Sequence, residues 1–478
     1  MGRGASLPCT LVAMCVGGTT VGWVKEEASS EEGAPEGGVW HVVGKDIQAD
    51  KDATSYGYGA RVLSGGAMWG PECGPEVAGW RRGLDLAGWA SEIRGIEKQV
   101  RSEQGERDTA HLHKMVRWTQ VCWYLGLVLA CASRVSVAGV LLLSTATFVQ
   151  WTMIGHHVIH GGYSKLDKSG KYKRGVFAFG NVAKRLHDWS DWMRPEAWDV
   201  EHNHLHHYQL GEENDPDLVE RNMHSVRSAD VGLFWKYLIV LFFACTWKWT
   251  YYAPNTTKAL YKTRKMTEFK KRGISPDSAE AQKGLTFSLE DGDAYTIFQA
   301  VEDAARGRFG GLYEISSVML PYAVWHFGIM PAMTLAAGFP AETFYNCLTN
   351  LLIAEVLTNV HAFLVIAGNH VGDDCYRFST PVAPKSDEFL LRAVIGSVNF
   401  PTGGDVNDML HGFLNYQIEH HLWSDLSMVS YQKAAPLVRE VCAKYGVPYV
   451  QQTVWQRVPK TVGCMVGTKS MKLWERGD

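Results

Sequence analysis

Long apolar segments constrain this chain most, and all of them lie after residue 117. Residues 135–155 contain no charged side chain, and the 16 residues of 118–133 are also uncharged. Further along, 315–341 has no acidic or basic residue, and 343–372 has only Glu355. A helix of about 20 apolar residues spans the hydrocarbon core of a bilayer. The sequence therefore predicts a multi-pass membrane protein with four transmembrane helices.

A fifth apolar block, Tyr237–Trp247, is too short to span a bilayer. Its 11 residues lie between Lys236 and Lys248, with Trp235 before the block and Trp249, Tyr251 and Tyr252 after it. Aromatic and lysine flanks are typical of helices that lie in the membrane interface. We therefore predict an interfacial helix here, with a slightly polar fifth span as the alternative.

The flanks of the membrane unit are polar, which is why the mean hydropathy of the whole chain is only −0.14. Residues 1–115 are glycine-rich and include the low-complexity run 26–38, so we expect partial disorder and a possible targeting segment there. We predict a membrane domain over 116–450 and a C-terminal tail over 451–478.

Charge and cysteine content exclude several classes of protein. The chain has 47 basic and 50 acidic residues, a formal net charge of −3, so it lacks the basic excess of a nucleic-acid-binding protein. None of its ten cysteines forms a C-x-x-C pair, so neither a zinc ribbon nor a disulfide framework is predicted.

Histidines carry the chemical signal, because nine of the 18 fall in three short clusters. The clusters are HHVIH at 156–160, HNHLHH at 202–207 and QIEHH at 417–421. Imidazole is a favoured ligand of iron, copper, nickel and zinc. Nine imidazoles are too many for one tetrahedral ion and suit a centre of two metal ions.

The spacing within the clusters favours shared metal ligation. Residues i and i+4 lie on one face of a helix, so His156 and His160 can reach one ion, and His202 and His206 repeat that spacing. An adjacent histidine pair diverges by roughly 100° on a helix, so it can contact two neighbouring ions. The first cluster follows the second predicted span and the third cluster follows the fourth. The three clusters meet on one side of the membrane if 237–247 stays in the interface.

These clusters resemble the three histidine boxes of the membrane fatty acid desaturase family. The resemblance extends to WDVEHNHLHH at 198–207, the later DPD at 215–217, and NYQIEHHLWSDL at 415–426. It implies an all-helical integral membrane protein with four spans in two hairpins, an interfacial helix, and a helical cap carrying a histidine-ligated di-iron site. The implied reaction is the oxygen-dependent removal of two hydrogens from an acyl chain.

The resemblance also implies the site residues, and no catalytic residue beyond the metal ligands is predicted. The implied iron ligands are His156, His160, His202, His206, His207, His420 and His421, followed by His370, His157 and His204. The candidates for orienting or supporting these ligands are Gln417, Asn369, Asp199, Glu201 and Glu419. Box two has one residue more than the second box that is common in front-end desaturases, a branch of this family. Either His202 or His204 is therefore its first ligand.

Gln417, at the start of the third box, resembles the front-end desaturases, which insert a double bond between an existing one and the carboxyl end. Many of these carry a fused cytochrome b5 domain with a His-Pro-Gly-Gly motif, but this chain has no His-Pro dipeptide. We therefore expect a separate cytochrome b5 or ferredoxin as electron donor, and an acyl-lipid or acyl-CoA substrate. The endoplasmic reticulum and a plastid membrane are both open as locations.

Two other functions remain as alternatives. A di-iron membrane hydroxylase, ketolase or sphingolipid-modifying oxygenase uses similar boxes and yields an oxygenated product. A membrane metal transporter would place polar ligands inside the spans, whereas here the histidines cluster at span ends.

Overall fold

The computed structural model describes residues 79–81, 83–289 and 294–475 of the chain. The low-complexity run at 26–38 and the possible targeting segment lie outside the described residues. Within them, regular structure is almost entirely helical, as predicted.

The helices follow one another along the chain with two very short strands near the C-terminal end. In chain order they are α1 Leu86–Ser102, α2 Glu106–Ala132, α3 Val137–Ile159, α4 Val182–Asp188, α5 195–209, α6 Val219–Asn222, α7 His224–Ser228, α8 233–272, α9 Ala279–Gln282, α10 Ile297–Ala305, α11 Gly310–Ala336, α12 Ala341–Asn369, α13 Asp387–Ile395, α14 Asp405–Leu410, α15 Gln417–Leu422, α16 Met428–Tyr445 and α17 Val454–Val466. Strands β1 Tyr376–Phe378 and β2 Lys472–Trp474 pair in parallel, with Arg377 opposite Leu473. Single-turn 3₁₀ helices occur at Gly79–Arg81 and Leu414–Tyr416.

Four helices of the described residues, α2, α3, α11 and α12, are long and apolar enough to cross a bilayer. This confirms the predicted four-span helical membrane fold. In α3, 67% of the apolar window is buried, and in α12 44%, against 22% in each of α2 and α11. Helices α3 and α12 are therefore the inner pair. The outer helices expose large apolar side chains such as Tyr124, Val128 and Leu320, as a lipid-facing surface requires.

Short connections join the spans into two hairpins, and a buried asparagine of α12 ties them together. The Asn350 side chain donates to the carbonyls of Ala130 and Ser133, both at 2.9 Å, and accepts from the Ser136 amide at 2.8 Å. These bonds satisfy backbone groups at the end of α2 and the start of α3, and so fix the turn between these two helices to α12.

The apolar block predicted to lie in the interface forms the first part of α8, Leu233–Trp247. Among the described residues, α8 is not one of the four candidate spans. Its apolar part of 15 residues would cover only about 22 Å. Phe234 and Leu241 are exposed, while Val240 packs against α17. The helix continues through a π-helical turn, Lys248–Tyr252, into the basic segment Ala253–Arg272. The interfacial position itself stays a prediction.

Helices also occur in both regions that flank the predicted membrane domain. Trp89 and Ile93 of α1 are fully buried and belong to the main core together with Val438 of α16. Helix α2 begins at Glu106, ten residues before the predicted boundary at 116. The C-terminal region contains α17 and β2. The domain boundaries stay a prediction.

Candidate metal centre

The three histidine boxes and His370 come together where the inner spans α3 and α12 end. Box one forms the last turn of α3, and His370 follows the last residue of α12. Box two lies in α5 and box three in α15, both in the cap beside these ends. Residues far apart along the chain thus form one buried group of imidazoles.

The first cluster contains five buried histidines whose ligand nitrogens lie within 4.8 Å of one another. Its members are His156, His160, His202, His207 and His420. The His156 Nε2 atom lies 2.9 Å from Nε2 of His420 and 3.2 Å from Nε2 of His202. His207 Nε2 lies 3.2 Å from His202 Nε2.

The second cluster contains His206, His370 and His421, again with ligand nitrogens within 4.8 Å. The Nε2 atoms of His370 and His421 are 3.2 Å apart. The two clusters adjoin, since the rings of His207 and His421 stack at 4.6 Å. The adjacent pairs of boxes two and three, His206-His207 and His420-His421, are therefore divided between the clusters.

A π-helical turn in α5 explains how the longer second box fits. Asp199–His206 is π-helical, so residues i and i+5 share a face there. His202 and His207 consequently point to the first cluster, while His206 faces the second. The α-helical spacing expected from the sequence pairs His202 with His206, whose rings do stack at 5.1 Å. The π-helical register adds His207 to the first cluster.

A second π-helical turn, Gln150–Gly155, precedes box one in α3. Gly155 closes this turn against the indole ring of Trp189, and a Cβ at that position would lie 2.8 Å from ring carbons. The glycine lets Trp189 pack directly beneath the first histidines.

The imidazole geometry fits metal ions. Two nitrogens bound to one ion at about 2.0–2.1 Å lie roughly 3 Å apart when they are neighbouring ligands. The Nε2 to Nε2 distances of 2.9–3.2 Å match that spacing. The Nε2 atoms of His160 and His206 are buried with no hydrogen-bond partner. Buried nitrogens of this kind need a partner, and a shared cation supplies one.

Several Nδ1 atoms contact oxygen atoms on the far side of the ring from the cluster. His206 Nδ1 lies 2.8 Å from Asp215 Oδ1, and His370 Nδ1 lies 2.7 Å from the Ile366 carbonyl. His420 Nδ1 lies 3.3 Å from the Tyr431 hydroxyl. Such contacts fix the tautomer that leaves Nε2 available for a metal.

Burial and mutual repulsion keep most of these rings neutral. Burial, followed by the neighbouring imidazoles, lowers the pKa of His202, His207 and His420 well below the usual value. Burial also lowers the pKa of His206, but the carboxylate of Asp215 outweighs it and raises that pKa. Neutral imidazole is the form that binds metal ions.

Two predicted ligands lie outside both clusters. His157 is fully buried, and its Nδ1 atom lies 2.7 Å from the Met153 carbonyl. His204 lies toward the surface, with Nε2 3.0 Å from the Arg174 guanidinium. Of the two candidates for the first ligand of box two, the structure brings His202 into the cluster.

The predicted supporting residues fall into two groups. Gln417 lies at the second cluster, with Nε2 2.8 Å from His421 Nε2, and Asn369 donates to Gln417 Oε1 at 3.0 Å. The three acidic candidates contact other groups: Asp199 accepts from Asn203, Glu201 from Tyr252, and Glu419 from Asn399 and Tyr449. Burial raises the pKa of Glu419 to about 7.

Asp217 and Tyr431 were not predicted as site residues. Asp217 groups with His202 and His206 within 4.8 Å. The DPD sequence at 215–217 is the one local signal for it. Tyr431 lies on α16 and reaches His420 from eleven residues further along the chain, which no pattern in the sequence indicates.

Fold and site together define a polytopic membrane protein with a buried, histidine-lined centre suited to metal. The sequence model of the family described as fatty acid desaturase matches residues 132–453, which is more than half of the chain. The chain therefore belongs to the fatty acid desaturase family and is an oxidoreductase.

Curated relatives agree with this assignment. The chain is 24% identical over 391 residues to the NADPH-dependent stearoyl-CoA 9-desaturase of Mycobacterium tuberculosis, covering 79% of this chain and 78% of the relative. It is 40% identical over 68 residues to a fatty acid desaturase 2-like protein of Mus musculus, covering 14% of each chain. It is 24% identical over 113 residues to Delta(5) fatty acid desaturase A of Dictyostelium discoideum, covering 23% of this chain and 24% of that one. No solved structure matched the chain.

Proposed function

We propose that this protein is an oxygen-dependent acyl desaturase that holds two iron ions, one in each histidine cluster. The ligands proposed are His156, His160, His202, His207 and His420 for one ion, and His206, His370 and His421 for the other. The observation that supports this most is the division of the adjacent pairs His206-His207 and His420-His421 between two adjoining clusters.

The reaction class explains why imidazoles and not a nucleophilic triad line the site. An unactivated methylene has no acidic proton, so general acid and base groups cannot open it. Bound iron would supply the redox chemistry that uses dioxygen to remove hydrogen from the acyl chain. The chain's own residues fix the ligands: Asp215 orients His206, and the buried ring of Trp198 stacks on His202 at 4.4 Å. This packing also excludes bulk water from the first cluster.

Two positional specificities have support, and we favour the front-end type. Gln417 at the start of box three and the Delta(5) relative support insertion between an existing double bond and the carboxyl end. The relative that aligns over most of the chain is named a stearoyl-CoA 9-desaturase, which supports 9-desaturation of a saturated acyl-CoA as the second candidate.

Expression in yeast distinguishes these reactions. A strain that lacks its own stearoyl desaturase is supplied with polyunsaturated acids in one culture and stearate in another, and products are identified by gas chromatography and mass spectrometry. A new double bond toward the carboxyl end of a polyunsaturated acid supports the front-end type. Oleate from stearate supports the second candidate, and a hydroxylated product contradicts desaturation. A His420→Ala variant loses the product if the clusters are the active site.

We further propose a separate electron donor, cytochrome b5 or ferredoxin, and a location in the endoplasmic reticulum or a plastid membrane. The purified protein is reconstituted in lipid vesicles and supplied with each donor and its reductase in turn. The donor that gives oxygen-dependent product formation is the one the protein uses. Fluorescent fusions of the full chain identify the membrane.

A further inference from the structure

Arg457 of α17 is a fully buried charged residue that follows the last residue of the family match. Its guanidinium reaches residues 367–375, which comprise the last turn of α12 and the residues after it and are called the 367–375 loop below. Burying a guanidinium is costly unless its N–H groups are well matched with acceptors. The contacts of Arg457 therefore indicate what it holds in place.

The guanidinium binds backbone and side chain of this loop at the same time. Nε donates to the Gly368 carbonyl at 2.9 Å, and Nη2 donates to the Val371 carbonyl at 2.9 Å. Nη1 donates to both carboxylate oxygens of Asp374, at 2.6 and 2.7 Å. Further contacts are to Gln452 Oε1 and Cys375 Sγ.

The two carbonyls flank the residues that reach the second cluster. Asn369 and His370 lie between Gly368 and Val371, so Arg457 fixes the backbone on both sides of them. Close approach is built into the loop: a Cβ at Gly372 would collide with the Arg457 guanidinium.

Other residues of the C-terminal segment 454–474 hold the same loop. The Thr461 hydroxyl donates to the Val371 carbonyl at 3.3 Å, and Lys469 pairs with Asp373 at 2.7 Å. Strand β2 then pairs with β1, directly after the loop. This segment contacts the loop through side chains and through backbone pairing.

We propose that Arg457 is a positioning residue for the second metal cluster, because it fixes the backbone on both sides of Asn369 and His370. The proposal rests on the proposed di-iron function. The second cluster has three imidazoles against five in the first, so displacement of His370 leaves only two. Lysine cannot replace Arg457, because one ammonium cannot bridge two carbonyls and a carboxylate.

The test compares Arg457→Lys with Arg227→Lys in the full-length protein, purified in detergent. Arg227 is the matched control, since it donates to the Lys469 carbonyl and to Ser470 in the same segment but to no residue of the 367–375 loop. Iron is counted per chain in the monodisperse fraction. Hydrogen exchange of the peptide 366–376 is measured in metal-free protein.

We expect Arg457→Lys to retain about one iron per folded chain where wild type retains two, with faster exchange of the 366–376 peptide. Arg227→Lys should match wild type in both readouts. Wild-type iron content and exchange in Arg457→Lys would overturn the proposal, and so would equal losses in the two variants. Absence of iron from the wild-type protein would contradict the di-iron function and not the role of Arg457. In that case, the difference in hydrogen exchange of the 366–376 peptide between the variants tests whether Arg457 fixes the loop.

If Arg457→Lys yields no monodisperse protein, Asp374→Asn replaces it. This variant removes the negative charge that compensates the buried guanidinium, which destabilises Arg457 in its position between the two carbonyls. We expect iron content below wild type and faster exchange of the loop peptide. Unchanged values in both readouts would overturn the proposal.

Discussion

At the scale of single residues, His202 and His204 are two residues apart and lie in different surroundings. His202 Nε2 is within 3.2 Å of two other imidazoles, whereas His204 lies 3.0 Å from Arg174 near the surface. We predict that His202→Ala abolishes desaturation, because it removes a ligand from the centre of the first cluster. His204→Ala should leave product levels near wild type. Product analysis in yeast measures both, and equal losses would contradict the ligand assignment.

Asp215 offers a second test at this scale. Its carboxylate contacts His206 Nδ1 and also accepts from the Gly211 amide at 2.8 Å. Loss of such a partner typically weakens metal binding about 10–100-fold. We predict a weakening of this size for Asp215→Asn, measured by competition with a chelator. Asp199→Asn, which affects a contact to Asn203, is the control and should bind as tightly as wild type.

The sequence identified those site residues that lie close together along the chain. Apart from His204, each of the nine box histidines is adjacent to another or four residues from one, so a helical pattern found them. Arg457 and Tyr431 each act alone from a distant helix, and their burial follows from tertiary packing that no local pattern records. Glu201 and Glu419 are close to ligand histidines in sequence, yet their side chains point to Tyr252, Asn399 and Tyr449.

At the scale of elements, the π-helical turn of α5 sets the register of box two. A deletion of Leu205 removes one residue from this turn, and rotates the following histidines by roughly 100° relative to His202. We predict loss of iron from both clusters in this variant, measured on purified protein. Leu205→Ala keeps the register and should retain the iron. Full iron content in the deletion variant would show that the π-helical register is not required.

The π-helical turns were not predictable from the α-helical period of the sequence. A pattern of 3.6 residues per turn predicted helices at the boxes correctly and paired His202 with His206, but it did not indicate that His207 joins His202 in the first cluster. The register of His207 depends on one extra residue that the buried surroundings of α5 accommodate, including the contact of Trp198 with His202. Local sequence gives no account of such packing.

At the scale of the whole molecule, the account requires the cap elements to lie on one side of the membrane. Spans α3 and α12 both end at the histidine clusters, and α8 must not cross if box two and box three are to meet. We predict that single cysteines at positions 230, 283 and 385 react with an impermeant thiol reagent from the same side. Cysteines at 134 and 338, in the two short span connections, should react from the opposite side. Labelling of 230 and 283 from opposite sides would contradict the fold.

Apolar length alone predicted the spans of this architecture, because a bilayer imposes a minimum on each helix. It did not predict α1 or α17, since these helices bury their apolar side chains against other helices of the protein and do not have the apolar length of a span.

The metal content of the purified, full-length protein tests the central claim most directly. Iron, zinc, copper and manganese are quantified per chain by mass spectrometry, and electronic coupling between ions is examined by Mössbauer spectroscopy. The account predicts two iron ions per chain that are close enough to couple, both lost in His420→Ala combined with His421→Ala. A single ion per chain, or zinc in place of iron with wild-type desaturation, would contradict it.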